Sequence, residues 1–157
     1  MASRVGVKIL FDECVSSKIA EVLDNCASKC DPPFSVHYLT EDEFGICETK
    51  WLPKRAQHGY VLVTSDMKMR SDHDIAKFAA VHGAKIFLLE ARVSQQHRWN
   101  LLKWLANNLP KLVSTVDSIQ DGTTWLVFHD CKVAIVEPNA QTFLAKHEKT
   151  ATDTNKS

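Results

Sequence analysis

Two short apolar runs in this sequence end directly on acids. Residues 5–11 (VGVKILF) are followed by Asp12 and Glu13, and residues 60–65 (YVLVTS) by Asp66. Both runs read as buried β-strands. If the strands lie parallel, their acids emerge at one edge of a sheet. Glu48 opens a predicted helix just before the second run, where a helix N-terminus can face the same edge. Carboxylates converging there repel one another strongly in a low-dielectric cleft. A divalent cation relieves that repulsion, and an all-carboxylate donor set favours Mg²⁺ or Mn²⁺ over zinc. Such an ion polarises a phosphoryl oxygen and lowers the pKa of a bound water, which is what phosphodiester hydrolysis needs. Each acid alone also has an ordinary explanation, because Asp after a strand is a common turn residue and Asp12 or Glu13 can cap the next helix. Their joint arrival at one edge is what points to chemistry.

The elements that must position these groups alternate in type. Residues 15–26 carry Ile19, Val22, Leu23 and Cys26 at helical spacing, and Ser16 or Ser17 can cap the start. Asp31-Pro32-Pro33 breaks the chain, residues 34–39 read as a strand, and 40–45 form a polar, acidic loop. Residues 47–58 predict a helix in which Pro53 must occupy the first turn or introduce a kink. After the 60–65 strand, Ser71-Asp72-His73-Asp74 resembles a capping box for a helix to about His82, closed by Gly83. A strand follows over 84–89, then a helix over 94–109 striped by Trp99, Leu102, Leu105 and Leu109, and a helical piece over 111–119. Residues 123–129 and 133–136 read as a strand pair turning around Asp130. The order β-α-β-α-β-α-β plus an extension predicts an α/β fold with a mainly parallel central sheet. Ligands of such sheets gather at the carboxyl ends of the strands, where the acids stand.

Composition narrows the classes. The 157 residues hold 19 Lys+Arg against 19 Asp+Glu, with 45% apolar and 24% charged. We expect one domain over 1–145, with its core at 5–92 and a C-terminal extension at 93–145, then a disordered polar tail at 146–157. Zero net charge argues against a generally polycationic nucleic-acid binder but leaves room for a local basic groove. No apolar run is long enough for a membrane span, and Lys8, Asp12 and Glu13 interrupt the opening stretch too early for a secretory signal. Five irregularly spaced cysteines fit reduced thiols, so the expected location is cytoplasmic.

The segments FDECVSSKIAEVL and ETKWLPKRAQHGYVLVTSDMKMRSDHDIAKFAAVHGAKIFLL, followed by WLANNLPKL and TTWLVF…VAIVEP, resemble the compact PIN-like ribonucleases of toxin–antitoxin systems, the VapC-type toxins. The shared pattern is an acid after strand one, a second acid before a Trp-containing helix, and T-x-D followed by basic residues. The resemblance covers about residues 7–138 and implies a PIN-like three-layer α/β/α sandwich. It also implies a metal-dependent endoribonuclease using Mg²⁺ or Mn²⁺, with products bearing a 5′-phosphate and a 3′-hydroxyl. The implied partners are RNA, a cognate antitoxin protein and a second copy of the chain in a homodimer. Carried over by position, Asp12, Glu48 and Asp66 match the metal-binding acids; Glu13 assists the first, and Asp72 supplies a carboxylate through water. Two departures stand out: position 48 is Glu where the family often has Asp, and the acid set is thinner than the four of larger PIN nucleases. The alternative is therefore a catalytically inactive PIN-like module that binds RNA or a protein. A receiver-like phosphotransfer domain fits less well, because no Lys-Pro signature follows the LLEARVS strand end.

Other residues can support such a site. Thr64 shares a strand face with Asp66 and can hold its carboxylate or a metal-bound water, or serve only strand propensity. Lys68 and Arg70 should lie at the rim and contact phosphate, whereas Lys50, Lys54 and Arg55 read as a solvated helix face. Trp51 should pack its helix on the sheet; Trp99 and Trp104 fit the core of the extension, with base stacking as the alternative. Cys26, Cys30 and His37 lack zinc spacing, Cys14 reads as small buried packing, and His73 is the histidine nearest the proposed site.

Overall fold

The structure is a computed structural model and describes residues 6–66 and 80–136. Its elements in chain order are β1 (Val7–Phe11), α1 (Ser17–Ala27), β2 (Phe34–Tyr38), α2 (Glu48–Gln57), β3 (Tyr60–Thr64), β4 (Lys85–Leu89), α3 (Ala91–Ser94), α4 (Arg98–Thr115), a 3-10 turn (Val116–Ser118), β5 (Thr124–Val127) and β6 (Val133–Ile135). They build a six-stranded sheet in the order β2-β1-β3-β4-β5-β6. Neighbours are parallel except for β6, which returns antiparallel to β5. The α/β fold with a mainly parallel central sheet, flanked by helices as in a PIN-like sandwich, is the one expected.

The period-two alternation of strand side chains divides the core. Ile9, Phe11, Val61, Val63, Phe87 and Leu89 join one cluster with α1 and α4, while Leu10, Leu62 and Ile86 meet Trp51 and Leu52 of α2 on the other face. Strands covered on both faces must be apolar at nearly every position, which is why β1, β3 and β4 read as unbroken apolar runs. Helix α1 therefore crosses one face to reach β2, and α2 crosses the other to reach β3. The chain reverses its direction of winding between β1 and β3, and the carboxyl ends of these two strands flank a topological switch point.

Local details refine several expectations. Ser16, not Ser17, caps α1, accepting the Lys18 N–H at 3.3 Å. The buried stripe of α1 is Ile19, Ala20, Leu23 and Ala27, so the small alanines face the sheet while Val22 and Cys26 stand exposed. Pro53 lies past the first turn of α2, and the helix continues beyond it to Gln57. Helix α4 is one unbroken helix through Pro110 rather than two pieces. Burial of Leu109, Leu112 and Val113 along one stripe outweighs the single hydrogen bond the proline removes. Trp104 is buried as expected, but Trp99 is 63% exposed and belongs to no core. Among the described residues no helix is long and apolar enough to cross a membrane.

Candidate active site

Asp12 leaves the sheet directly after β1 and is only 6% exposed. Two donors hold its carboxylate: the Thr64 hydroxyl donates to Oδ2 at 2.5 Å, and the Cys14 backbone N–H donates to Oδ1 at 3.0 Å. Thr64, the fully buried last residue of β3, also accepts the Asp66 backbone N–H at 3.0 Å. One hydroxyl thus connects the two acids across the switch point. Burial pushes the Asp12 pKa above the ordinary carboxylate value and the charge of Asp66 adds to this, while the bonds from Thr64 and Cys14 pull the other way. Among the described residues no lysine or arginine pairs with Asp12.

The loop between β2 and α2 covers these acids. Glu13 accepts the Gly45 N–H through Oε1, so it fastens the loop to the end of β1. Within the loop, Glu43 accepts the Thr40 N–H at 2.9 Å and a forked pair of bonds from Arg55 of α2 at 2.8 and 2.7 Å. Arg55 was read as part of a solvated face; its guanidinium instead sits half-buried against Glu43 and 4.7 Å from the Tyr60 ring centroid. Trp51 Nε1 donates to the Ile46 carbonyl at 3.2 Å and closes the loop onto α2.

Between the strand ends and this loop lies a cavity of about 430 Å³, bounded by Asp12, Glu13, Cys14 and Asp66 on one side and by Leu39, Gly45, Ile46, Cys47 and Trp51 on the other. Cys14 is exposed and lines this cavity rather than packing in the core. Glu48 is the first residue of α2, next to Cys47 in the cavity wall; its side chain is outside what the structure describes. Lys68, Arg70, Asp72 and His73 also lie outside the described residues.

A further acid at this edge escaped the sequence reading. Glu90 follows β4 directly, and the β3–β4 register, with Thr64 opposite Leu88, sets it level with Asp66. The signal was the same one that marked Asp12: an acid immediately after a buried strand. Glu90 Oε1 accepts the His129 N–H at 2.7 Å, and this bond anchors the β5–β6 turn.

Among the described residues the arrangement gives part of a cation site. Asp12 and Asp66 offer hard oxygen donors in one cavity, and a buried carboxylate lacking a cationic partner suits a divalent ion. Among the described residues, however, no three His, Cys, Asp or Glu side chains gather into a metal-holding group. A family model described as "PIN like domain" matches residues 7–91, from β1 through β4, with the positions of Asp12, Glu48, Asp66 and Glu90 inside the match. No curated protein and no solved structure matches the chain. The family match spans more than half of the 157 residues, and the chain belongs to the PIN-like domain family.

Proposed function

We propose that this protein is a metal-dependent endoribonuclease that hydrolyses RNA phosphodiester bonds, and that it is the toxin component of a toxin–antitoxin pair. The observation that carries the proposal is Asp12: a buried carboxylate at the switch point, without a cationic partner among the described residues, sharing a cavity with Asp66. Asp12 and Asp66, joined by Glu48, are the residues that would hold Mg²⁺ or Mn²⁺. When bound, the ion supplies a polarised phosphoryl oxygen and an acidified water.

The chain's own contribution is positioning. Thr64 and the Cys14 N–H fix the Asp12 carboxylate in the cavity wall. Burial and the Asp66 charge make ionised Asp12 costly without a counter-charge, which raises the advantage of binding one. Glu43 holds the covering loop, and Glu13 fastens that loop while also lining the acid cavity. Lys68 and Arg70 follow Asp66 in sequence and are assigned to the RNA phosphates. The toxin role, the antitoxin partner, the homodimer and the cytoplasmic setting rest on the resemblance of the ordered acid motifs to VapC-type toxins.

The test is cleavage of a labelled mixed RNA pool by purified protein with Mn²⁺ or Mg²⁺, beside EDTA and the Asp12→Asn and Asp66→Asn variants. Metal-dependent cutting that is lost in both folded variants upholds the proposal. A second reading is an inactive PIN-like module that binds RNA or protein, which the Glu at position 48 and an acid set thinner than the four of larger PIN nucleases would fit. Folded wild-type protein that neither cuts RNA nor takes up Mn²⁺ by calorimetry would decide for it.

A further inference from the structure

Helices α1 and α4 lie side by side against the sheet, and between them runs a groove of about 290 Å³. Ile19, Val22 and Leu102 line it together with the Trp99 ring, and no acid does. Its charged groups are Lys18 from α1 and Arg98 from α4. Trp99 is 63% exposed and Val22 46%, so a large apolar surface stays open to water here. His97 caps α4 by accepting the Trp99 N–H on Nδ1 at 3.4 Å. The groove thus combines an open indole and an apolar wall, with the exposed side chains of Lys18 and Arg98 at its margins.

Position adds to composition. Helix α1 begins at Ser17, just after Asp12, and α4 follows the carboxyl end of β4 through α3. Both helices therefore start at the sheet edge where the acid cavity opens. Lys18 is six residues from Asp12, so their Cα atoms are at most about 20 Å apart. A strand with one phosphate at Asp12 reaches the groove within a few nucleotides.

We infer that the α1–α4 groove is a base-stacking subsite for single-stranded RNA, in which Trp99 stacks one nucleobase against Val22 and Leu102 while Lys18 and Arg98 hold the flanking phosphates. The inference rests on the ribonuclease reading for its choice of ligand. Its volume is at the lower end for small-molecule sites and suits one flat ring system. Aromatic platforms flanked by cations are the general means of holding single strands, because every base has a stacking face. Lys18 and Arg98, one from each helix, carry the only charges among the residues that line the groove, and they favour an anion beside it.

The test uses the full chain with Asp12→Asn, in EDTA, and a labelled single-stranded RNA oligomer read by anisotropy and tryptophan fluorescence. Adding Trp99→Ala should weaken binding about tenfold and abolish most of the quenching, whereas Trp99→Phe should retain most of the affinity. Lys18→Gln with Arg98→Gln should flatten the salt dependence of binding. Unchanged affinity and quenching in a folded Trp99→Ala protein overturns the subsite, and wild-type cleavage then judges the ribonuclease reading separately. Trp99-dependent RNA binding by a protein that never cuts RNA upholds the subsite and removes the nuclease. Quenching by an acidic apolar peptide but not by RNA overturns the inference in favour of a protein partner.

Discussion

Thr64 donates its hydroxyl to Asp12 Oδ2 at 2.5 Å while accepting the Asp66 N–H at 3.0 Å, so a single buried oxygen ties the Asp12 carboxylate to the Asp66 backbone. Water cannot replace either bond, because Thr64 has no exposed surface. Thr64→Val keeps the shape of the side chain and removes both bonds. The expected cost is about 1–3 kcal/mol of stability from the polar groups left behind, measured by urea unfolding. Thr64→Ser keeps the hydroxyl and should lose less. Loss of this bond also removes a force that holds the Asp12 pKa down, so Mn²⁺ uptake by Thr64→Val should begin at a higher pH. Identical unfolding midpoints for wild type and Thr64→Val would show that the hydroxyl holds nothing.

The raised pKa of Asp12 makes a signed prediction. The native state keeps the proton to a higher pH than the unfolded chain, whose value is near 3.8. Between those two values the native state binds more protons, so stability falls as pH rises through the window and stays lowered above it. Asp12→Asn carries no such charge. Without metal, the variant should melt at or above the wild type at neutral pH, and this advantage should vanish below about pH 3.8. Added Mn²⁺ should raise the melting temperature of the wild type and leave Asp12→Asn unmoved. Calorimetry across pH reads both effects. A metal-free variant that melts well below the wild type at neutral pH would mean that the native fold already compensates the charge.

Glu43 behaves in the opposite sense. The Arg55 guanidinium holds its carboxyl below the usual value of 4.5, with help from the Thr40 N–H, and both partners are largely shielded at 14% and 16% exposure. The stabilisation is complete above the unfolded value and is lost as pH falls through the native one. Glu43→Gln should therefore cost about 1–3 kcal/mol at neutral pH, with the gap from wild type closing as pH drops below 4.5. Because the same loop carries Gly45 and Ile46 into the acid cavity, cleavage should fall further than the lost stability explains. A gap that stays constant with pH would show that the ion pair contributes little.

What could be seen in the sequence followed from local rules. Strands β1, β3 and β4 were legible because burial on both faces leaves unbroken apolar runs, and Asp12 and Asp66 were legible because their meaning lies in their place after a strand. Glu90 obeyed the same rule but was passed over inside a segment read as a strand end. The Glu43–Arg55 pair was not legible: it joins residues across a loop and a helix, and only the packing of α2 on the sheet brings them together. Helix α1 turned its alanines inward because spacing alone does not say which of two overlapping stripes is buried. Trp99 misled for a related reason, since its size argued for a core that the start of α4 does not reach.

The turn of the β5–β6 hairpin is anchored at one residue, His129. His129 gives its N–H to Glu90 Oε1 at 2.7 Å, and its carbonyl accepts Trp104 Nε1 at 2.8 Å. Trp104 is 7% exposed within the larger core cluster, so it joins α4 to the turn by a hydrogen bond and by burial. Trp104→Phe keeps most of the apolar contact and removes the bond, at a cost of about 1–2 kcal/mol. Trp104→Ala adds a cavity, for a total of about 3–5 kcal/mol. In the phenylalanine variant the loss should be local: amides of β5 and β6 should exchange faster while those of β3 and β1, two and three strands in from β5, keep their protection. Uniformly faster exchange across the sheet would show that the hairpin and the central strands open as one unit.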